Sequence, residues 1–207
     1  MRSLYNRIAG QNLDRLTALS DGVFSVAMTL LVLDLRTPAA DAIHSEHDLL
    51  NALLSLAPRL VTYLMSFITL GIFWLGQQTQ LDRLARSGRD LTWIHVGFLC
   101  AVTLVPFSTA LLAEQIGYRL ALLVYWSNIL LLGLLLLWTW REAVRAKLVR
   151  EDTPPDVVAA ICRRIVYAQT LYAFGAALCL INTYWSIAFI VLVQINYVVA
   201  PPWPSRR

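Results

Sequence analysis

The sequence predicts an all-α membrane protein with six transmembrane helices per chain and both termini in the cytoplasm. Three observations carry this. Apolar residues make up 58% of the 207-residue chain and charged residues only 14%, against roughly 25% charged in an ordinary soluble domain, and mean hydropathy is +0.60. The apolar residues gather into six runs near the ~20 residues that a helix needs to cross the hydrocarbon core. With the N-terminus inside, 14 of the 17 basic residues fall on the cytoplasmic side and only Arg36, Arg59 and Arg119 outside, the asymmetry that positive-inside insertion produces.

The six runs lie at about 19–37, 56–76, 91–113, 119–140, 161–181 and 183–200. They form one domain, 1–207, and the short connections predict antiparallel neighbours. The stretch before the first run has no apolar core followed by a small-residue cleavage site, so the first helix itself is read as the membrane address. An acidic outer loop, 38–50, follows, with Asp41, Glu46 and Asp48. In the third run Pro106 predicts a kink whose freed carbonyls are served by neighbours or water. Asp90 and Thr92 read as that run's start. The inner loop, about 141–160, carries Pro154-Pro155, and its first half extends the fourth helix into water. Trp74, Trp93, Trp140, Trp185 and Trp203 fall near predicted interfaces, where aromatic anchors sit. Gln194 and Asn196 in the last run are expected to bond to adjacent helices.

Several function classes are excluded. The basic residues form short clusters between apolar runs rather than a nucleic-acid-binding stripe. Cys100, Cys162 and Cys179 suit neither a disulfide framework nor a metal site. The sequence contains no phosphate-binding loop and no assembled catalytic set, so no enzyme is read. It also lacks a TVGYG potassium filter.

Polar residues inside a span are costly, and the first helix is richest in them. Ser20 and Asp21 read either as a helix cap meeting the positive end of the dipole or as anchors bonded to neighbouring helices. Arg15 is a candidate partner for Asp21, but six residues apart on a straight helix they do not share a face. Val26, Leu30 and Leu33 form an apolar stripe at i, i+4, i+7, flanked by Thr29 and Asp34. Such a stripe serves packing or lipid contact, or lines a pore. As a pore lining, apolar rings gate by dewetting, Thr29 hydroxyls replace part of an ion's water, and Asp34 forms an acidic outer ring that attracts cations. One helix cannot enclose a pore, so that reading requires closed rotational symmetry. His95 reads as a packing residue or a pH switch.

The stretch Arg15 to Leu35 resembles the RxxxFSDGVFAIAITLLVL signature of bacterial relatives of the lysosomal potassium channel, transmembrane protein 175. The stretches Asp90-Leu91-Thr92-Trp93-Ile94-His95 and Leu104-Val105-Pro106-Phe107-Ser108-Thr109, with Ser66-Phe67 and Trp74, resemble the same family. The resemblance covers about the first 115 residues; the later helices match in number and hydropathy. It implies a homotetramer in a prokaryotic plasma membrane, surrounded by lipid, that passes potassium and other monovalent cations with no cofactor. The constriction falls on Val26, Leu30 and Leu33, the selectivity layer on Thr29, and the structural polar motif on Arg15, Ser20 and Asp21. Gln77, Trp93 and His95 are the side chains expected to partner that motif. Leu19 stands where the signature has Phe, Val26 where Ile or Leu is common, and His95 where Asn is common. The rival reading is a proton- or cation-coupled secondary transporter that titrates Asp21 or His95; broken-helix pairs, the usual mark of that class, are missing from the sequence.

Overall fold

The first helix, α1 (Leu13–Leu30), starts six residues before the predicted boundary because Asn12 caps it: Asn12 Oδ1 accepts from Arg15 N at 2.9 Å. Ser20 and Asp21 therefore lie two turns inside the helix, and their reading as a cap is corrected. At its far end the helix tightens into a 3-10 turn, Leu31–Asp34. The computed structural model describes residues 12–199. Arg2, Arg7, Trp203, Arg206 and Arg207, all assigned to the cytoplasmic side by sequence, lie outside that range.

The acidic stretch after α1 is not all loop. Ser45 caps a short helix, α2 (Glu46–Ser55): its hydroxyl accepts from Asp48 N at 3.1 Å and donates to Asp48 Oδ2 at 2.8 Å. This is a local capping pair of the kind that starts a helix without tertiary support. Next comes α3 (Ala57–Leu81), which ends five residues later than predicted. The helix continues through Gln77 and Gln78 into the bundle, where Gln80 Nε2 donates to Leu136 O at 3.3 Å.

The third predicted run is broken where Pro106 demands it, into α4 (Arg89–Thr103) and α5 (Val105–Glu114). Asn128 lies across the break. With its amide oriented to serve both sides, its nitrogen donates to Ala101 O at 3.2 Å and its oxygen accepts from Val105 N at 3.2 Å. A neighbour thus serves the interrupted backbone, as a kink in a membrane requires.

Helix α6 (Arg119–Arg145) runs past its apolar segment, as expected of the basic loop. It ends with Lys147 at φ 53°. Leu148 N donates to Ala143 O at 2.9 Å and Lys147 N to Val144 O at 3.2 Å, the paired bonds of a Schellman cap. Helix α7 (Pro155–Ala177) starts on its own proline, six residues earlier than predicted. Arg163 and Arg164, read as flanking charges, consequently stand in its third turn. Helix α8 (Thr183–Val199) returns along it. At their crossing a Cβ on Gly175 would come within 3.0 Å of both Ile190 and Phe189, and Ser186 Oγ donates to Gly175 O. The small residue lets the two backbones close.

Five helical stretches, Leu13–Asp34, Ala57–Leu81, Arg89–Glu114, Arg119–Arg145 and Pro155–Leu180, are long and apolar enough to cross a membrane; Thr183–Val199 is apolar but shorter. Helix α6 is the hub, packing on α4, α5 and α7. Helix α1 lies on α3 and α4, and α8 closes against α7 and α3. One apolar core runs through this bundle around Phe24, Leu70, Phe98, Tyr125 and Ile129. A second sits at one end, where Leu16, Leu81, Leu84, Leu91, Trp140 and Leu148 meet. There the α3–α4 and α6–α7 connections pair, Ala85 N to Leu148 O and Arg150 N to Arg83 O, each at 2.9 Å. Trp140, read as an interfacial anchor, is fully buried and donates to Val158 O at 3.2 Å.

Buried polar side chains tie the helices together. Thr109 Oγ1 donates to Ser66 Oγ at 2.7 Å, Thr69 Oγ1 meets Tyr125 OH at 3.1 Å, and Gln194 Nε2 donates to Thr69 Oγ1 at 2.6 Å. Gln194 thus bonds across helices as expected, while Asn196 is exposed.

Candidate functional site

Helix α1 has one face inside the subunit and one outside. Leu16, Ser20, Phe24, Ala27 and Leu31, spaced by three or four, are buried against α3 and α4. Val26, Leu30 and Leu33 are 57%, 44% and 68% exposed, and Thr29 shares their side. The subunit leaves this stripe uncovered.

Two polar anchors fix which way that stripe points. Ser20 Oγ donates to Leu16 O at 2.8 Å and lies 2.8 Å from His95 Nε2 on α4, with both residues fully buried. With the hydroxyl proton directed to Leu16 O, the contact calls for an N–H on His95 Nε2, the neutral tautomer with Nδ1 unprotonated. One residue on, Asp21 Oδ1 accepts from Trp74 Nε1 at 2.8 Å and from Gln78 Nε2 at 2.6 Å, both on α3. Hydrogen bonds to a carboxylate are each worth about 1.5–3 kcal/mol. Together the anchors hold α1 to α3 and α4 and set its rotation.

Of the three partners read for this motif, His95 is in place. Gln77 is buried with neither amide atom bonded, while its neighbour Gln78 makes the contact. Trp93 is 64% exposed, whereas Trp74, read as an anchor, is the indole that reaches Asp21. Arg15 is exposed, and no ion pair joins it to Asp21 among the described residues. The signal for Trp74 and Gln78 was their i, i+4 spacing, which aligns two donors on one face of α3.

At the other end Asp34 does not stand free. Arg59 Nη1 on α3 lies 3.2 Å from Asp34 O and 3.5 Å from its Oδ1, and the Asp34 side chain is only 14% exposed. Thr29 Oγ1 directs its proton back to its own helix, reaching Ser25 O at 3.0 Å and Val26 O at 2.9 Å. The oxygen's remaining lone pair is left for the open side, where it suits a cation.

The chain is similar to known proteins. A sequence model of the family described as endosomal/lysosomal potassium channel TMEM175 matches residues 15–106. A potassium channel of Chamaesiphon minutus is 30% identical over 187 residues, 88% of this chain and 92% of its own. One of Streptomyces collinus is 38% identical over 102 residues, 49% of this chain and 48% of its own. The crystal structure of a lysosomal potassium-selective channel TMEM175 homolog from Chamaesiphon minutus superposes with a TM-score of 0.79 at 29% identity, covering 91% of this chain and 97% of that one.

Proposed function

The chain belongs to the TMEM175 family, whose members are multi-pass membrane channels, and from that premise we propose that it is a potassium-permeable, potassium-selective cation channel of the prokaryotic plasma membrane. Its working form is a homotetramer of six-helix subunits with both termini cytoplasmic, and α1 from each subunit lines a central pore. The observation that carries this reading is the uncovered stripe of α1. Val26, Leu30 and Leu33 are exposed on the helix that bears the family signature, while the opposite face is buried. Four such stripes around one axis make stacked apolar rings, with no backbone-carbonyl filter needed.

A potassium ion sheds part of its water at these rings, and Thr29 Oγ1 supplies replacement oxygens between Val26 and Leu33. Potassium gives up water more readily than sodium, so a narrow site with weak ligands favours it. The same rings close the pore when they narrow and dewet. Asp34 contributes little attraction at the outer mouth, because Arg59 neutralises most of its charge. The Ser20–His95 and Asp21–Trp74–Gln78 contacts act at a distance from the ion, by holding α1 at the angle that keeps the stripe central. This also weighs against a transporter that titrates Asp21 or His95, since both groups serve as fixed joints between helices.

Ion flux from proteoliposomes tests the proposal. Wild-type protein should pass potassium faster than sodium. Leu33→Ser and Leu30→Ser should raise flux of both and shrink the preference. Thr29→Val should shrink the preference without the rise. Fluxes unchanged by all three substitutions would remove α1 from the conduction path.

A further inference from the structure

Helices α3, α6 and α7, with Tyr197 of α8, enclose a cavity of about 240 Å³ that no part of the conduction path uses. Its walls include Ile72, Phe73, Leu136, Ile161 and Ile165, with Arg164 among them. By the orientation proposed above, on which this inference rests, it occupies the cytoplasmic half of the subunit. The lining residues come from the second half of α3 and α6 and from Val157 to Tyr172 of α7, with Arg164 in the first half of that helix.

Two amide oxygens on these walls, Gln80 Oε1 and Gln169 Oε1, are buried and unbonded, while Tyr172 OH faces Gln194 and Thr69. Gln80 and Tyr172 are 2% and 3% exposed. Gln80 spends its amide nitrogen on Leu136 O, which leaves its oxygen turned to no partner. Gln169 reaches its place across α6 because Gly133 has no side chain; a Cβ there would overlap the Gln169 amide. Unbonded amide oxygens are expensive at membrane depth. Such oxygens only accept, so whatever fills the cavity must bring hydrogen-bond donors.

Arg164 supplies the second requirement. Its guanidinium lies 5.7 Å from the Tyr197 ring centroid, no carboxylate pairs with it among the described residues, and no acidic residue lines the cavity. A basic pocket between spans on the cytoplasmic side suits an anionic lipid headgroup.

We propose that this cavity binds an anionic phospholipid whose headgroup carries hydroxyl groups, of the phosphatidylglycerol class. The phosphodiester sits on Arg164, headgroup hydroxyls donate to the glutamine oxygens, and the acyl region lies along the aliphatic wall. A zwitterionic choline lipid offers no donor and less net charge. An anionic lipid without hydroxyls meets half the requirement.

The test is native mass spectrometry of the full-length channel, purified from vesicles equimolar in phosphatidylglycerol, phosphatidylmethanol and phosphatidylcholine. Wild-type protein should retain the three in that order. Arg164→Gln should lower phosphatidylglycerol retention about fivefold. Gly133→Ala, which displaces Gln169, should erase the advantage of phosphatidylglycerol over phosphatidylmethanol while keeping both above phosphatidylcholine. Equal retention of all three by the wild type, which needs no variant to fold, would overturn the proposal. So would unchanged retention in Arg164→Gln, or a change in the mass of the assembly in place of its lipid content, which would mean that another copy of the chain fills the cavity. The assay reads no current, so its failure leaves the channel reading intact, and lost flux with normal lipid retention strikes the channel reading alone.

Discussion

Asp21 is a carboxylate on α1, the helix proposed to line the pore, and its contacts all point away from the open stripe. It meets Trp74 and Gln78 through one oxygen, so each donor is coupled to it directly. A double-mutant cycle with Asp21→Ala and Gln78→Leu, read by thermal melting in detergent, should return a coupling energy of about 1–2 kcal/mol. The same cycle with Gln77→Leu should return none, since Gln77 makes no such bond. At this scale the sequence was half legible. It placed a structural acid at Asp21 and a partner at His95 but chose the wrong glutamine and the wrong tryptophan. Adjacent helix residues differ by about 100°, so naming the neighbour of the true partner turns the contact away from α1. Trp74 was missed because an indole at an interface and an indole bonded to a carboxylate have the same sequence signature.

Single elements show why boundaries were the weakest expectation. Hydropathy ended the second run at 76 and began the fifth at 161, yet the second continues to Leu81 through Gln77 and Gln78 and the fifth starts at Pro155. Helices continue as long as the backbone finds its bonds, and polar side chains inside a bundle are tolerated where they have partners or an outlet. The break at Pro106 was legible because it is a covalent property of one residue. Its repair by Asn128 was not, since nothing local in the sequence links them. Asn128→Leu should cost about 2 kcal/mol by leaving Val105 N unserved and removing one of the two donors to Ala101 O, measured by thermal unfolding. The α6 terminus gives a prediction of opposite sign. Lys147 occupies a left-handed position that costs a side-chain-bearing residue about 1–2 kcal/mol. Lys147→Gly should therefore raise stability by about 1 kcal/mol, the gain offset in part by the greater freedom of unfolded glycine. An unchanged or lowered melting temperature would contradict the cap.

For the whole molecule, the all-helical membrane class and the family were readable from composition, spacing and one long motif, while five of the six expected spans are long enough to cross a membrane and the last, Thr183–Val199, is shorter. The electrostatics of the outer mouth were not, because Asp34 and Arg59 are 25 residues apart on different helices. Their pairing has a measurable consequence. Asp34→Asn should change potassium conductance by less than about twofold, as one largely neutralised charge is lost, whereas Arg59→Gln should unmask Asp34 and raise conductance. That rise should fade as salt increases from about 0.01 M to 1 M, since the screening length falls from ~30 Å to ~3 Å. A large drop in Asp34→Asn with no effect of Arg59→Gln would mean that the pair is broken in the conducting channel.

Side-chain access to permeating ions tests the central claim most directly. Leu33→Cys and Leu31→Cys differ by two positions in the 3-10 turn that ends the first span, one 68% exposed on the open stripe and the other 2% exposed where that turn packs on α3 and α5. A small cationic thiol reagent, applied during current recording in planar bilayers, should block Leu33→Cys and spare both Leu31→Cys and the wild type, whose Cys100 is the exposed native cysteine among the described residues. Block of Leu31→Cys with Leu33→Cys untouched would show that the opposite face of α1 meets the ions.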